Sequence, residues 1–182
     1  MRIVAGEWRG RALVAPMGLG TRPTADRVRQ ALFDMLMHAE WGGRAVIEGA
    51  VVLDVFAGTG ALGLEALSRG AAWACFIEND AAALKALRAN VATCKAEGQV
   101  QIVAGDVFRV TNGGAASLVF LDPPYGESLV PRAIGRLREV GRIGPGALIV
   151  AETGREESWV PEEPLLAERR HGAARVLIFR VA

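Results

Sequence analysis

The sequence has little of what disulfide-bonded, zinc-binding or membrane-spanning proteins depend on. Its 182 residues include two cysteines, Cys75 and Cys94, and two histidines, His38 and His171, which lie far apart in the chain. This set offers neither a disulfide framework nor clustered ligands, so we predict buried thiols and no metal cofactor. No apolar run approaches the ~20 residues of a membrane span, and the first residues lack the apolar core of a signal peptide. We therefore expect a reduced, cytoplasmic protein without a membrane partner.

Lysine is also scarce, and arginine carries nearly all the positive charge. The formal net charge of the chain is +1, yet residues 1–30 contain six arginines against two acids, a balance of +4. Arginine binds phosphate in a bidentate fork and stacks on bases. Charge alone leaves two interpretations open for this segment, contact with nucleic acid or an ordinary solvated surface.

The chain is organised around residues 51–71, VVLDVFAGTGALGLEALSRGA. The stretch begins with a short apolar run rich in β-branched residues, which predicts a strand buried on both faces. Asp54 interrupts that run and needs a partner, because burying an isolated carboxylate is costly. Gly58 and Gly60 end the strand, and residues 61–69 have the spacing of a short helix. Together they predict a cradle in which free backbone N–H groups meet a ligand.

The glycines of this turn do not identify the ligand by themselves. Gly58, Gly60 and Gly63 match the G-x-G-x-x-G fingerprint of dinucleotide-binding folds. Glu78 lies about twenty residues further on, where such folds place a ribose-binding acid. The same turn also suits S-adenosylmethionine, and a turn that binds nothing is the structural alternative. Other parts of the chain have to decide between these ligands.

Strand and helix patterns alternate through the rest of the chain. Strands are predicted at 72–77, 100–104, 118–121 and 147–151, helices at 25–38, 81–95 and 129–140, and a closing antiparallel pair at 165–171 and 175–181. This alternation predicts an α/β fold with a parallel sheet between layers of helices. Residues 2–16 predict a hairpin of two short strands around a glycine-containing turn.

Acidic residues follow three of the predicted strands directly. Glu78, Asp106 and Asp122 each come just past a strand end, and Asp54 within the first strand could reach the same edge. Ligands of open α/β sheets bind outside the carboxyl ends of the strands. The pattern therefore predicts a ligand cleft with an acidic rim.

The most specific signal is the motif Asp122-Pro123-Pro124-Tyr125. Consecutive prolines fix the backbone and remove its donors, so the neighbouring carbonyls keep defined directions. The preceding carboxylate offers acceptors, and the following aromatic ring offers a stacking face. Acceptors beside a stacking face suit an amino group on a flat heterocycle. The structural alternative is a rigid turn at the end of a strand.

These features together resemble a known family. The Asp122–Tyr125 motif is similar to that of class I methyltransferases acting on amino nitrogens, and LDVFAGTGALGLEALSRGA resembles their S-adenosylmethionine loop. With MRIVAGEWRGRAL at the start and TRPTADRVRQALFDML at residues 21–36, the chain resembles the RsmD family. These bacterial enzymes methylate N2 of a guanine in 16S ribosomal RNA. The likeness covers nearly the whole chain, apart from residues 40–50 and 153–170.

The resemblance implies the fold and the cofactor. We expect an α/β, Rossmann-like class I methyltransferase with a mostly parallel seven-stranded sheet, an antiparallel C-terminal strand and a small N-terminal appendage. The cofactor would be S-adenosyl-L-methionine. Its methionine end would lie against Asp54 and the turn from Gly58 to Gly60, and its ribose hydroxyls would donate to Glu78. Asp106 would contact the adenine amino group, with the backbone of Val107 beside it.

The resemblance also implies the substrate contacts. Asp122 and the Pro123 carbonyl would hold the guanine amino group, while Tyr125 would stack on the base. The partner would be 16S rRNA or an assembly intermediate of the small ribosomal subunit. Residues 1–50 would form the RNA-contacting appendage on a methyltransferase domain of residues 51–182. Four arginines of the appendage are candidate RNA contacts: Arg9, Arg11, Arg22 and Arg29.

Three other functions remain as alternatives. An amino-group methyltransferase could act on N6 of DNA adenine or on a protein glutamine, although sequence-selective DNA enzymes need a larger reading module. An NAD-dependent oxidoreductase could use the glycine turn, but that leaves Asp122-Pro123-Pro124-Tyr125 without a role. A non-catalytic RNA-binding module would not need Asp122 or the glycine turn. The oligomeric state and the choice between free RNA and an assembled particle stay open.

Overall fold

Strands and helices alternate along most of the chain, as the sequence predicts. The computed structural model of the protein describes residues 1–16 and 23–182, apart from the side chains of residues 23–25. The helices are α1 Pro23–His38, α2 Ala61–Ser68, α3 Ala81–Cys94 and α4 Leu129–Glu139. The strands are β1 Val51–Val55, β2 Trp73–Glu78, β3 Val100–Ala104, β4 Ala116–Leu121, β5 Ile143–Gly154, β6 Leu165–His171 and β7 Ala174–Arg180.

All seven strands form one sheet in the order β3-β2-β1-β4-β5-β7-β6. Strands β1 to β5 pair in parallel, and β7 runs antiparallel to both of its neighbours. The expected mostly parallel seven-stranded sheet with an antiparallel C-terminal strand is confirmed. The strand order reverses between β1 and β4, and open α/β sheets bind ligands at the carboxyl ends next to such a reversal.

Alternating residues of the central strands contribute side chains to two apolar layers, one on each face of the sheet. Val52, Phe76 and Phe120 point to one face, where the N-terminal segment and helices α1, α2 and α3 pack. Leu53 and Val119 point to the other face, against α4 and the turn after β3. Both faces of the sheet are therefore buried, which explains why its strands have nearly continuous apolar sequences.

The N-terminal segment joins this core through few strand contacts. Its predicted hairpin is short: an antiparallel bridge joins Arg2 and Ala12, and the N–H groups of Ile3 and Leu13 donate to the carbonyls of Arg11 and Met1, both at 2.9 Å. Two backbone N–H groups next to the turn of this hairpin donate to a side chain of α2. Those of Val4 and Ala5 donate to Glu65, at 2.8 and 3.0 Å. The segment is therefore held both by its own hairpin pairing and by α2, and the local sequence does not reveal the contact with α2.

Glu65 on α2 is the centre of this attachment. Its side chain is fully buried and also accepts from Nε of Arg69 at 2.9 Å and Nε of Arg29 at 3.4 Å. Arg29, on α1, donates in turn to Asp26 at 2.9 Å. One carboxylate thus ties the N-terminal segment, α1 and α2 into a buried ionic network.

Several element boundaries differ from the sequence prediction. Asp80 caps α3 as expected, accepting from the Ala83 N–H at 2.8 Å. Ser128 precedes α4 in a left-handed conformation with φ of 49° and makes no side-chain cap. Strand β5 is longer than predicted and starts before Pro145.

Cys75 and Cys94 are free and buried, as predicted. Among the helices of the described residues, none has both the length and the apolarity to cross a membrane.

We predict that Glu65→Gln lowers the free energy of unfolding by about 3–5 kcal/mol, the usual cost of removing one partner from a buried ion pair. The change removes the buried counter-charge of Arg29 and Arg69 and leaves each with one acidic partner that is more exposed, Asp26 at 2.9 Å and Asp34 at 3.7 Å. Urea unfolding would measure the loss. The matched control is Glu48→Gln, because Glu48 pairs with Arg44 at 3.5 Å on the exposed surface and should lose less than about 1 kcal/mol. Equal losses in the two variants would contradict the role of Glu65.

Candidate active site

Five carboxyl groups lie at the carboxyl ends of the five neighbouring parallel strands. We call them the acidic edge, and in sheet order they are Asp106, Glu78, Asp54, Asp122 and Glu152. None of them forms an ion pair with any residue that the structure describes. Uncompensated negative charge at this edge favours a ligand that brings cations or hydrogen-bond donors.

Asp54 has the partner that its buried position requires. Its side chain is 2% exposed, and its Oδ2 accepts from the Gly63 N–H in the first turn of α2 at 2.8 Å. Burial raises the pKa of Asp54 to about 8, against the hydrogen bond from Gly63, and the charges of Asp122 and Glu78 raise it further. Asp54 therefore positions the start of α2 through Gly63.

Glu78 accepts hydrogen bonds from the backbone of the glycine turn and of the residues that follow β2. Its Oε2 accepts from the Gly58 N–H at 2.7 Å, and its Oε1 accepts from Asn79 and Asp80, both at 2.8 Å. Gly58 and Gly60 have φ of 55° and 76°, a region that favours glycine. A carboxylate has about four acceptor sites, so Glu78 retains capacity for a ligand hydroxyl at Oε2.

Asp106 and Val107 lie where β3 ends, beside a shallow cleft. Asp106 is half-buried, and its Oδ1 accepts from the Phe108 N–H at 2.9 Å, which leaves Oδ2 free of intramolecular bonds among the described residues. Val107 is buried. The cleft is lined by Val103, Ala104, Gly105, Asp106, Arg109 and Val110. One free carboxylate oxygen beside an apolar wall suits a flat ring with an amino group.

The Asp122-Pro123-Pro124-Tyr125 motif follows β4, directly beside the strand reversal. Asp122 is exposed as a residue, but protein surrounds its carboxyl group. Desolvation by this surrounding protein, together with the negative charge of Glu152, raises the pKa of Asp122 to about 7. Pro123 is buried and fixes the chain behind this carboxyl group. The carboxyl group is thus an acceptor that can also hold a proton near neutral pH.

Tyr125 lies in the loop between β4 and α4. It is 44% exposed, and its hydroxyl donates to Oε1 of Glu152. Burial and that hydrogen bond raise the pKa of Tyr125 well above its usual value, so the hydroxyl remains a donor. Glu157 braces the loop by accepting from the N–H groups of Gly126 and Gly154, both at 3.0 Å. A cavity of about 490 Å³ opens beside the tyrosine ring.

Comparisons with known proteins identify the family of the chain. A family model described as Conserved hypothetical protein 95 matches residues 1–180. The chain is 43% identical to Ribosomal RNA small subunit methyltransferase D of Escherichia coli K12 over 166 residues, 90% of this chain and 79% of that relative. This chain belongs to the RsmD family of methyltransferases.

Solved structures extend the likeness to the whole fold of the RsmD-family chain. The structure of yhhF from Escherichia coli has a TM-score of 0.84 at 39% identity and covers 100% of this chain and 97% of that one. An RNA methyltransferase from Salinibacter ruber, solved with S-adenosyl-L-homocysteine, has a TM-score of 0.64 at 20% identity. It covers 90% of this chain and 94% of that one and shares the fold.

The acidic edge of this RsmD-family protein fits the chemistry of S-adenosylmethionine. The cofactor has an amine, a ribose diol and a cationic sulfonium, which are donors or positive charges, and it has no pyrophosphate. A Cβ at Gly58 would meet nothing nearer than the Phe56 carbonyl oxygen at 4.0 Å, so the backbone there is open to a ligand. Gly63 is different: a Cβ would collide with the ring of Phe76, so this glycine serves the packing of α2 on β2.

The four candidate RNA arginines have different environments. Arg9 is exposed. Arg11 is half-buried, lies 5.9 Å from the ring centre of Trp8 and donates to the Thr93 carbonyl at 3.1 Å. Arg22 lies outside the described residues. The prediction that Arg29 faces RNA is wrong for this structure, because its side chain is 5% exposed and belongs to the Glu65 network.

Three features of the site were not predicted from the sequence. Glu152 follows the predicted strand 147–151 directly, so the rule that picked out the other acids also applies to it. Phe56 has a left-handed φ of 59°, and non-glycine residues in that region cluster at functional sites. Asn90 donates to the Thr59 carbonyl at 2.9 Å and accepts from the Val14 N–H at 2.8 Å, which joins the glycine turn to the N-terminal segment. Its sequence position gives no signal for this.

We predict that Asp122→Asn changes how stability depends on pH. Folding raises the pKa of Asp122 from 3.8 to about 7, so the folded protein binds a proton here that the unfolded chain has released. This group therefore makes the parent less stable as pH rises from about 4 to 7, and its effect levels off above that range. The variant lacks the group, so its stability relative to the parent should increase across the same window. Chemical unfolding at pH 4–8 would measure it, and parallel pH profiles would contradict the assignment.

Proposed function

We propose that this chain transfers a methyl group from S-adenosylmethionine to the exocyclic N2 amino group of a guanine in 16S ribosomal RNA. The observation that carries the proposal is the Asp122–Tyr125 motif, an acceptor and a stacking face fixed by prolines beside the strand reversal. Relatives at 43% identity carry the name of small-subunit rRNA methyltransferases, and the acidic edge suits the cofactor.

The residues of the Asp122–Tyr125 motif would hold the amino nitrogen and the ring of the target base. Asp122 and the Pro123 carbonyl accept the N2 hydrogens, which draws the nitrogen toward a pyramidal, more nucleophilic form. Tyr125 stacks on the ring and holds the nitrogen in line for attack, a near-attack geometry. S-adenosylmethionine, when bound, supplies the methyl group from its sulfonium. With a pKa near 7, the Asp122 carboxylate also takes up the proton that leaves the amino nitrogen.

The cofactor residues divide by the group that each would hold. Gly58 would bring open backbone to the methionine end, Gly60 would shape the turn where it packs against Leu87, and Asp54 would fix the helix behind them. Glu78 would accept from the ribose hydroxyls through the capacity left at its Oε2. Asp106 would accept from the adenine amino group beside the backbone of Val107. Each role uses an acceptor that the described residues leave free or a backbone position without a side chain.

The RNA is held by the N-terminal appendage in this proposal. Residues 1–50 supply the cationic surface, and residues 51–182 supply the methyltransferase domain. The exposed Arg9 and the Trp8-stacked Arg11 are the RNA contacts that remain available there. The target base would have to be unstacked to reach Tyr125, as for other enzymes that act on a base. The substrate is 16S rRNA or an assembly intermediate of the small subunit, and a cytoplasmic location remains a prediction.

The alternative reactions are less well supported by the same residues. A nicotinamide dinucleotide carries two phosphates, and the acidic edge would repel them. A DNA adenine or protein glutamine substrate uses the same motif, so the acceptor has to be identified directly. Mass mapping of ribosomal RNA from cells with and without the protein would do so. If the 16S rRNA of cells without the protein kept every methylated guanine, the proposed substrate would be contradicted.

We predict that the protein binds S-adenosylmethionine and not NAD, and that Glu78→Ala weakens cofactor binding by about 1–3 kcal/mol, the cost of losing charged hydrogen bonds. Glu78→Gln should lose less, because the amide oxygen still accepts. Isothermal titration would measure all three proteins. Unchanged affinity in the alanine variant would remove Glu78 from the cofactor site.

We predict that Asp122→Ala slows methyl transfer by about 10²–10³-fold, the usual effect of removing one preorganised polar group. Cofactor binding and thermal melting should change little. Tyr125→Ala should instead raise the KM for RNA, while Tyr125→Phe keeps the ring and should be milder. Single-turnover transfer to unmodified small-subunit RNA is the assay. A near-normal rate of methyl transfer in a well-folded Asp122→Ala variant would show that the motif is only a structural turn.

We predict that Arg9→Ala combined with Arg11→Ala weakens RNA binding and flattens its dependence on salt, because fewer phosphate counterions are released. Cofactor affinity should survive. The control is Arg138→Ala, since Arg138 lies on α4 across the sheet and pairs with Glu163. Binding measured between about 50 and 200 mM salt would test it. A salt slope equal to that of the parent would place the RNA surface elsewhere.

A further inference from the structure

Glu152 lies beside Asp122 but has no part in the proposed reaction so far. In the parallel pairing of β4 with β5, Leu121 is the register partner of Ala151. Asp122, the first residue after β4, therefore follows beside Glu152, which still lies within β5. Their proximity agrees with the effect of the Glu152 charge on the Asp122 carboxyl group.

The surroundings of Glu152 leave part of its carboxylate for a ligand. It is half-buried, and Oε1 accepts the hydroxyl of Tyr125, the residue whose ring would stack on the base. Neither an ion pair nor a second hydrogen bond to Glu152 occurs within residues 1–16 and 23–182. A base stacked on Tyr125 with its amino group at Asp122 would bring its adjacent ring edge toward Glu152.

The edge of guanine matches two neighbouring acceptors. Its N2 amino group and its N1–H are adjacent donors, so one carboxylate can accept from each. In adenine the amino group stands next to N1, which is an acceptor and would be repelled by a second carboxylate. A site built around a donor rejects an analogue that lacks it, because the buried acceptor is then left unpaired.

We propose that Glu152 determines the base specificity of the enzyme by accepting a hydrogen bond from guanine N1–H while Asp122 accepts from the N2 amino group. This inference rests on the proposed function and goes further, because it explains why guanine and not another amino-bearing base is chosen. Tyr125 has two roles in this arrangement: its ring stacks on the base and its hydroxyl fixes the Glu152 carboxylate.

The test replaces the substrate atom as well as the side chain. The guanine methylated by the parent, located by mass mapping, is replaced in small-subunit RNA by 2-aminopurine. That base keeps the N2 amino group but has an acceptor at N1. We expect the parent to prefer guanine by about 10- to 100-fold in kcat/KM, as for one good base contact. In Glu152→Gln the Tyr125 hydroxyl should keep the amide oxygen and leave the NH₂ group facing the base. The variant should therefore lose a similar factor in kcat/KM for guanine, whose N1–H is a donor, and change much less for 2-aminopurine, whose N1 accepts.

Two comparisons separate this role from a merely structural one. If Glu152 only orients Tyr125, then Glu152→Gln should slow both bases equally and Tyr125→Phe should reproduce its effect, which would overturn the proposal. A parent that accepts both bases equally would overturn it too, even if the variant fails to fold. Glu162→Gln, on the exposed loop before β6, is the matched control and should leave both rates unchanged. Failure of the parent to methylate guanine in any small-subunit RNA would instead overturn the proposed function itself.

Discussion

The hydrogen bond between the buried Asp54 carboxyl group and the Gly63 N–H is the constraint on which the rest of the site depends. It joins the central strand β1 to the first turn of α2 across 2.8 Å and sets where that helix begins. The turn between them then has to pass through left-handed conformations, which Gly58 and Gly60 allow. The same helix carries Glu65, so its placement also decides where the N-terminal segment attaches.

The acidic edge concentrates negative charge without a cation from the described residues to offset it. The cost appears in the raised pKa values of Asp54 and Asp122, because burial and neighbouring charges both oppose ionisation. Structures keep such groups where function requires them. A cofactor with a sulfonium and an amine, and a substrate with adjacent N–H donors, would each relieve part of this cost on binding.

The arginines of the first thirty residues have two different environments, one inside the Glu65 network and one on the surface. Arg29 is buried within the fold, where it joins α1 to Glu65 of α2 and to the Arg2 carbonyl of the N-terminal segment. Arg9 remains exposed at the turn that Glu65 holds in place. The surface proposed to contact RNA is thereby fixed to the helix that begins at the proposed cofactor turn, so both proposed binding regions are supported by α2.

The sequence by itself determined the elements and the position of the cleft. Strand β1, helix α2 and the acids at successive strand ends are local patterns, since periodicity, glycine and proline act on neighbouring residues. The parallel sheet then brings all carboxyl ends to one edge, so Glu78, Asp106 and Asp122 could be assigned to a single cleft.

Only the tertiary structure decided the contacts between residues that are distant in the chain. Glu65 meets Val4 and Arg29 from 61 and 36 positions away, and Tyr125 meets Glu152 from 27 positions away. No local pattern marks such partners, because their energy comes from desolvation and pairing that exist only after packing. That is why an arginine expected at the RNA surface proved to be buried, and why Glu152 gained its place beside Asp122 only from the register of two strands.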